Sequence, residues 1–137
     1  IYSEFNELLK NWFNILIDEE VMNVRLDEEF TPIIEQNGHD IEIENLSGGE
    51  KTSLSLAYRL SLNKVINDLI TTIKTKDLII LDEPTDGFSA QQLEKMREVL
   101  QDLNMDQLIL VSHEQKMEDL VDNILRVSKV GGVSGVY

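Results

Sequence analysis

No cysteine occurs in the 137 residues, so neither a disulfide framework nor a thiolate metal site can be built, which fits a reducing interior. Stability has to come from packing. There is no apolar run long enough to span a bilayer and no basic, apolar, small-residue leader at the start. The expectation is a soluble intracellular protein with no membrane partner. Basic residues are scarce as well: 12 Lys and Arg stand against 26 Asp and Glu, a formal charge of -14. Spread over a surface, that charge repels a phosphate backbone, so the chain by itself is a poor nucleic-acid binder. Its acids stand apart at Asp18–Glu20, Asp27–Glu29 and Glu114–Asp122, which reads as solvated faces and not as an acidic tail. Internal repeats and low-complexity segments are also lacking.

What is present is enough for one domain with a real core. Phe5, Leu8, Leu9, Trp12, Phe13 and Leu16 recur at helical spacing, so residues 2–17 read as an amphipathic helix with Trp12 in the core. The chain opens at Ile1 and not at Met, with that helix already under way, and so reads as a piece of something longer. Val21–Leu26, Phe30–Ile34 and Asp40–Ile43 form β-like runs around an Asn37-Gly38 turn, a small antiparallel element. From Gly49 to about Ile73 the pattern is helical and apolar on many sides, as in a buried central helix. Leu78–Leu81, Ala90–Leu103, Leu108–Val111, Glu114–Leu120 and Ile124–Val127 then alternate strand, helix, strand, helix, strand. That alternation predicts a parallel sheet flanked by helices, an α/β fold. Leu78–Leu81 is apolar throughout, as in a strand covered on both faces, and Gly131-Gly132 turns into a last edge strand, Val133–Tyr137.

Three constellations carry chemistry. Leu46-Ser47-Gly48-Gly49-Glu50 opens the long helix, and Ser47 with Glu50 has the spacing of a capping box. A cap needs no glycine pair, whereas an anion at a helix N-terminus is served by bare backbone and free N–H groups. Leu78–Leu81 ends in Asp82-Glu83-Pro84-Thr85. At the C-terminal edge of a parallel sheet Asp82 suits Mg²⁺ held through water and Glu83 suits a water-activating base, the alternative being a solvated acidic turn. Leu108–Val111 leads to Ser112 and His113; a histidine at a strand edge is, taken alone, more often a structural residue. His39, beside the turn, is assigned no role.

In order and spacing these elements resemble the ATP-binding-cassette ATPases. Leu46–Glu50 resembles the signature, Ile79–Glu83 the Walker B strand with its catalytic glutamate, and His113 the switch histidine. The resemblance implies the C-terminal half of a P-loop head, the fold beginning at residue 19, with the helix of residues 1–18 as the returning base of a coiled coil. Gly49-Glu50-Lys51-Thr52-Ser53-Leu54-Ser55-Leu56-Ala57 resembles the SMC and SbcC-like branch and not transporter subunits, and the Asp82–Thr85 run is most similar to the SbcC/Rad-type double-strand-break repair ATPases. One departure is Ser89, where the family usually has aspartate in the partner-facing loop Asp86-Gly87-Phe88-Ser89. Another is that no G-x-x-x-x-G-K-[ST] occurs; Gly48-Gly49-Glu50-Lys51-Thr52 fails because Glu50 separates glycine from lysine. The Walker A lobe is therefore expected elsewhere, and this chain alone is not expected to hydrolyse ATP.

The resemblance implies ATP and Mg²⁺ as ligands and a second head in an ATP-dependent dimer. In such a dimer Ser47, Gly48, Gly49 and Glu50 meet the opposing head's ATP, Asp82 serves Mg²⁺, Glu83 the attacking water and His113 the γ-phosphate. It implies an Mre-type nuclease and double-stranded DNA as partners, in the cytoplasm or nucleoid, or the nucleus. Alternatives are a chromosome-organising SMC head, a low-turnover DNA tether that Ser89 leaves open, and, less favoured, a transporter subunit.

Overall fold

A computed structural model describes residues 1–17, 22–70, 72 and 78–137. Asp18–Glu20, Val21 and the Ile73 end of the long helical pattern lie outside the described residues. The first helix, α1 (Tyr2–Ile17), buries Phe5, Leu9, Trp12, Phe13 and Leu16 along one stripe, each contributing roughly 1.5–3 kcal/mol on burial. It packs against three other elements: the strand β1 (Met22–Leu26), the long helix α2 (Gly48–Leu69) and a third helix, α3 (Ala90–Leu103). Trp12 is 1% exposed, and its Nε1 donates to Asp102 Oδ2 of α3 at 2.8 Å. The helix expected to be the base of a coil is thus a central part of this chain's own core.

Strand β1 pairs antiparallel with β2 (Pro32–Gln36), which pairs with β3 (His39–Ile41), as the alternation predicts. Met22, Val24 and Leu26 point inward and their neighbours outward. At the β2–β3 turn Asn37 and Gly38 both take positive φ, 53° and 81°, the two-residue geometry that matches strand twist.

Helix α2 buries Ser53, Leu54, Leu56, Ala57, Leu60, Ser61 and Val65, and the Ser61 hydroxyl is satisfied by donating to Ala57 O at 2.6 Å. It is one-sided, not buried all round: Lys51, Ser55 and Arg59 form an exposed row, and Ile66 and Leu69 are exposed near its end. The helical apolar count was high because those last residues are apolar without being covered within this chain.

Strands β4 (Leu78–Asp82) and β5 (Gln107–Val111) run parallel, with Asp82 opposite Val111, joined by a crossover through α3. Helix α3 faces the core through Leu93, Met96, Val99 and Leu103. The strand pair is covered on one face only: Ile79 and Leu81 are buried, while Ile80 is 56% exposed and Ile109 and Val111 are exposed beside it. This corrects the expectation of two covered faces. The predicted third parallel strand is also corrected. Val127–Val130 (β6) pairs antiparallel with Val133–Val136 (β7) in a separate hairpin, because Gly131 and Gly132 both adopt positive φ and close a two-residue turn. Residues Gln115–Leu120 form a 3-10 segment and not an α-helix, with Met117 its one buried residue. No helix among the described residues is long and apolar enough to cross a membrane.

Candidate functional site

Both ends of the candidate site are built by short-range capping. Ser47 Oγ accepts Glu50 N at 3.2 Å and Ser47 N donates to Glu50 Oε1 at 2.9 Å, a complete capping box. The cap accounts for Ser47 and Glu50 but not for the glycines, and these have different reasons. A Cβ on Gly49 would lie 2.8 Å from Gln92 Oε1 and 3.1 Å from Gly87 O, so packing within this chain favours glycine there. A Cβ on Gly48 would meet nothing within 4 Å. Gly48 leaves bare backbone on the open side of a helix N-terminus, whose N–H groups and dipole favour an anion. Ser47 keeps its own O–H to donate, since its oxygen serves the cap as acceptor.

The second cluster sits at the C-terminal edge of the parallel strands. Glu83 takes φ of 47°, a left-handed conformation uncommon for a residue with a side chain, and its N–H donates to Val111 O at 2.8 Å. Its Oε1 accepts from His113 N at 3.2 Å and lies 2.8 Å from His113 Nδ1; its Oε2 accepts from Ser112 Oγ at 3.4 Å. The hydrogen bond from His113 holds the Glu83 carboxyl below its usual pKa, and the same bond raises that of His113. Asp82 is exposed beside them. Among the described residues no group of three or more His, Asp or Glu could hold a metal.

Between the clusters runs the turn 84–89. Asp86 and Gly87 are exposed; Asp86 O accepts from Thr52 Oγ1 at 2.7 Å, and Gly87 (φ +78°) lies against the Gly48–Gly49 backbone. Phe88, expected on the partner-facing surface, is instead 4% exposed and belongs to the core. Ser89 caps α3: its Oγ accepts Gln92 N at 3.2 Å and its N donates to Gln92 Oε1 at 3.0 Å.

No protein-family model matches the chain. It is 30% identical over 138 residues to the DNA double-strand break repair Rad50 ATPase of Pyrococcus abyssi, an alignment covering 99% of this chain and 14% of that protein. To the protein of the same name from Methanopyrus kandleri it is 35% identical over 104 residues, covering 72% of this chain and 11% of that protein. The fold matches an SMC head domain from Thermotoga maritima with a TM-score of 0.69 at 24% identity, over 99% of this chain and 47% of that one. It also matches an SMC head bound to the C-winged helix domain of ScpA with a TM-score of 0.77 at 21% identity, over 99% of this chain and 42% of that one. The chain belongs to the SMC-like ATP-binding-cassette ATPases, as the C-terminal lobe of a head. It spans well under a fifth of the curated relatives' length, at most 15% of those closely compared.

Four further residues at this site carry no role in the motifs themselves: Lys51, Ser55, Arg59 and Gln92. Lys51, Ser55 and Arg59 of α2 border a cleft of about 300 Å³ whose far side carries Glu83 and Asp86. Their i, i+4, i+8 spacing was readable as one polar face. Gln92, which fills the space beside Gly49 and also reaches Ser53 Oγ at 3.5 Å, announced itself only as the fourth member of a Ser-x-x-Gln cap.

The two glycines separate experimentally. Gly49→Ala is expected to lose about 1–3 kcal/mol in urea denaturation of the assembled head, from overpacking against Gln92 and Gly87, and Gly48→Ala to lose nothing. Equal losses would contradict the distinction. The Glu83–His113 pair sets a pH dependence. Because His113 is raised, its contribution is complete below the ordinary histidine value of 6.5 and lost as pH rises through the raised one. Because Glu83 is lowered, its contribution is complete above the ordinary 4.5 and lost as pH falls through the lowered value. The contact is thus fullest between those ordinary values. NMR titration is expected to find His113 above the usual histidine pKa and to see it fall in Glu83→Gln; an unchanged titration would show that the pair does not form in solution.

Proposed function

We propose that this lobe, with a Walker A lobe outside it, forms the head of a DNA double-strand-break repair ATPase that binds and hydrolyses ATP between two heads. The observation that carries this is the pairing of Glu83 with His113 at the C-terminal edge of β4 and β5, beside Asp82. The names of the relatives support the repair assignment. The sequence has no phosphate-cradling P-loop, and the bare strand face of Ile80, Ile109 and Val111 is apolar surface of the kind a second lobe covers. An Mre-type nuclease and double-stranded DNA are the partners of the whole protein. With a formal charge of -14 on this lobe, duplex DNA meets basic surface elsewhere.

Ser47 and Gly48 present an O–H donor and helix-terminal N–H groups to the γ-phosphate of the opposing head's ATP, so that nucleotide holds the two heads together. A magnesium ion near Asp82 would neutralise phosphate charge. Glu83 orients the attacking water and takes its proton. For this it has acceptor capacity left on Oε2, which takes only a bond from Ser112, while His113 Nδ1 and His113 N both hold Oε1. Released from Glu83, His113 is a hydrogen-bond donor at the same strand edge, placed for a γ-phosphate oxygen. Positioning and electrostatics supply the acceleration, as in phosphoryl transfer generally.

A low-turnover tether is the second reading. Ser89 stands where the family usually has aspartate, and its side chain is committed to capping α3, so on this reading the turn couples the two active sites less than an aspartate would. DNA-stimulated turnover in the assembled head separates the two readings.

Glu83→Gln is expected to keep ATP binding, prolong the ATP-dependent dimer in light scattering and slow hydrolysis by roughly 10²–10⁴-fold, the range for removing a general base. Ser47→Arg is expected to abolish dimerisation while ATP still binds. A Glu83→Gln dimer no longer-lived than wild type would remove Glu83 as the base, and normal dimerisation of Ser47→Arg would remove the signature assignment.

A further inference from the structure

Directly after His113 come two charged side chains that reach back to the turn 84–89. Thr85 is fully buried, and its Oγ1 donates to Glu114 Oε2 at 2.8 Å, with Met117 Sδ, a weak acceptor, at 3.1 Å. The carbonyl of buried Phe88 accepts from Lys116 Nζ at 2.8 Å, and that ammonium lies 3.5 Å from Glu114 Oε1. Glu114 N in turn donates to Ser112 Oγ at 3.0 Å, whose hydroxyl donates to Glu83 Oε2 at 3.4 Å. The contacts close a circuit. Glu83 leads through Ser112 to Glu114, Glu114 to Thr85, and only buried Pro84 separates Thr85 from Glu83 in the chain.

We infer that Glu114 and Lys116 are positioning residues for ATP hydrolysis, fastening the turn that presents Asp86 and Gly87 to the segment that carries His113. This rests on the ATPase reading above. Glu114 lies on an extended residue before a short 3-10 segment, and the ammonium of Lys116 takes a carbonyl that belongs to another element. The two bonds add to the contacts of Thr85 with Met117 and of Glu83 with Ser112 and His113 and tie the turn to the segment after β5. A displacement of His113 is then passed to Asp86 and Gly87, which lie against the first turn of α2. The buried Thr85 hydroxyl makes the link all-or-none, because without Glu114 it keeps only the sulfur as partner.

The test uses the head assembled with its Walker A lobe and compares Glu114→Ala, Thr85→Val, their combination, and Thr85→Ser. Two readouts are taken: backbone amide exchange at residues 86–89, and steady-state ATP hydrolysis with kcat and KM separated. Thr85→Val is the cleaner single change, since Glu114→Ala also alters the charge beside His113. Amide exchange of Phe88, which donates to Thr85 O at 2.9 Å, is expected to rise about tenfold or more in either single variant, the equivalent of one hydrogen bond to a charged group. In parallel, kcat is expected to fall about tenfold with KM for ATP nearly unchanged, as for a misplaced catalytic group. The double variant is expected to be no worse than the singles, and Thr85→Ser to restore both readouts.

Unchanged exchange at residues 86–89 overturns the fastening, and raised exchange with unchanged kcat overturns the positioning role. Should Glu114→Ala unfold the head, Lys116→Met removes only the ammonium and is read by the same exchange criterion. A wild-type head that neither dimerises with ATP nor hydrolyses it sinks the ATPase reading, while exchange at residues 86–89 still decides whether the two segments are fastened.

Discussion

The close approach at Gly49 sets the geometry of the whole functional edge. Here the first turn of α2, the turn at Gly87 and the cap of α3 come within van der Waals distance of one another, with Gln92 filling the gap. Gln92 is shared: it completes the cap of α3 through Ser89, touches Ser53 of α2, and excludes any side chain at Gly49. Two capping boxes are thereby locked back to back. Ser47 and Gly48 are left on the open side, and Asp86 and Gly87 are held beside them by the Thr52 hydroxyl on Asp86 O. Loosening this junction would shift both segments together.

In the proposed head, phosphate recognition by so acidic a lobe depends on where its charge is placed. The formal charge of -14 argues against long-range attraction of nucleotide or DNA to this lobe. At the N-terminus of α2 the favourable field comes from aligned peptide dipoles and unpaired N–H groups, which need no basic side chain. Lys51 and Arg59 add positive charge on the same helix, in the cleft that also holds Glu83 and Asp86. The recognising elements are therefore short-ranged and depend on a phosphate brought close by another surface.

Local chemistry was legible and tertiary covering was not. Ser47 and Glu50 at capping spacing, the Asn37-Gly38 turn, the stripe of Phe5, Leu9 and Trp12 and the limits of α3 each follow from interactions within a few residues. The failures all concern what lies against an element. Leu78–Leu81 reads as a strand covered on both faces, yet Ile80 is bare within this lobe. Ile124–Val127 reads as one more parallel strand, but the strand lies at Val127–Val130 and two left-handed glycines return the chain on itself at once. Phe88 sits in a loop motif between exposed residues, and only the packed structure reveals it as core. For the site, residue types and order were readable, whereas the roles of Thr85, Glu114 and Lys116 depend on contacts across some thirty positions of sequence.

The left-handed backbone at Glu83 bears on how genetic variation at this position is read. A β-branched residue is disfavoured there by the main chain before any chemistry is considered, while asparagine or glycine enters with little backbone strain. A survey of replacements would thus rank them partly by tolerance of that conformation and only partly by basicity. Glutamine, which matches glutamate in shape and keeps its backbone preference, removes the charge and with it the bond to His113 as well as the proposed base; a loss caused by valine or isoleucine would add the cost of the backbone to both.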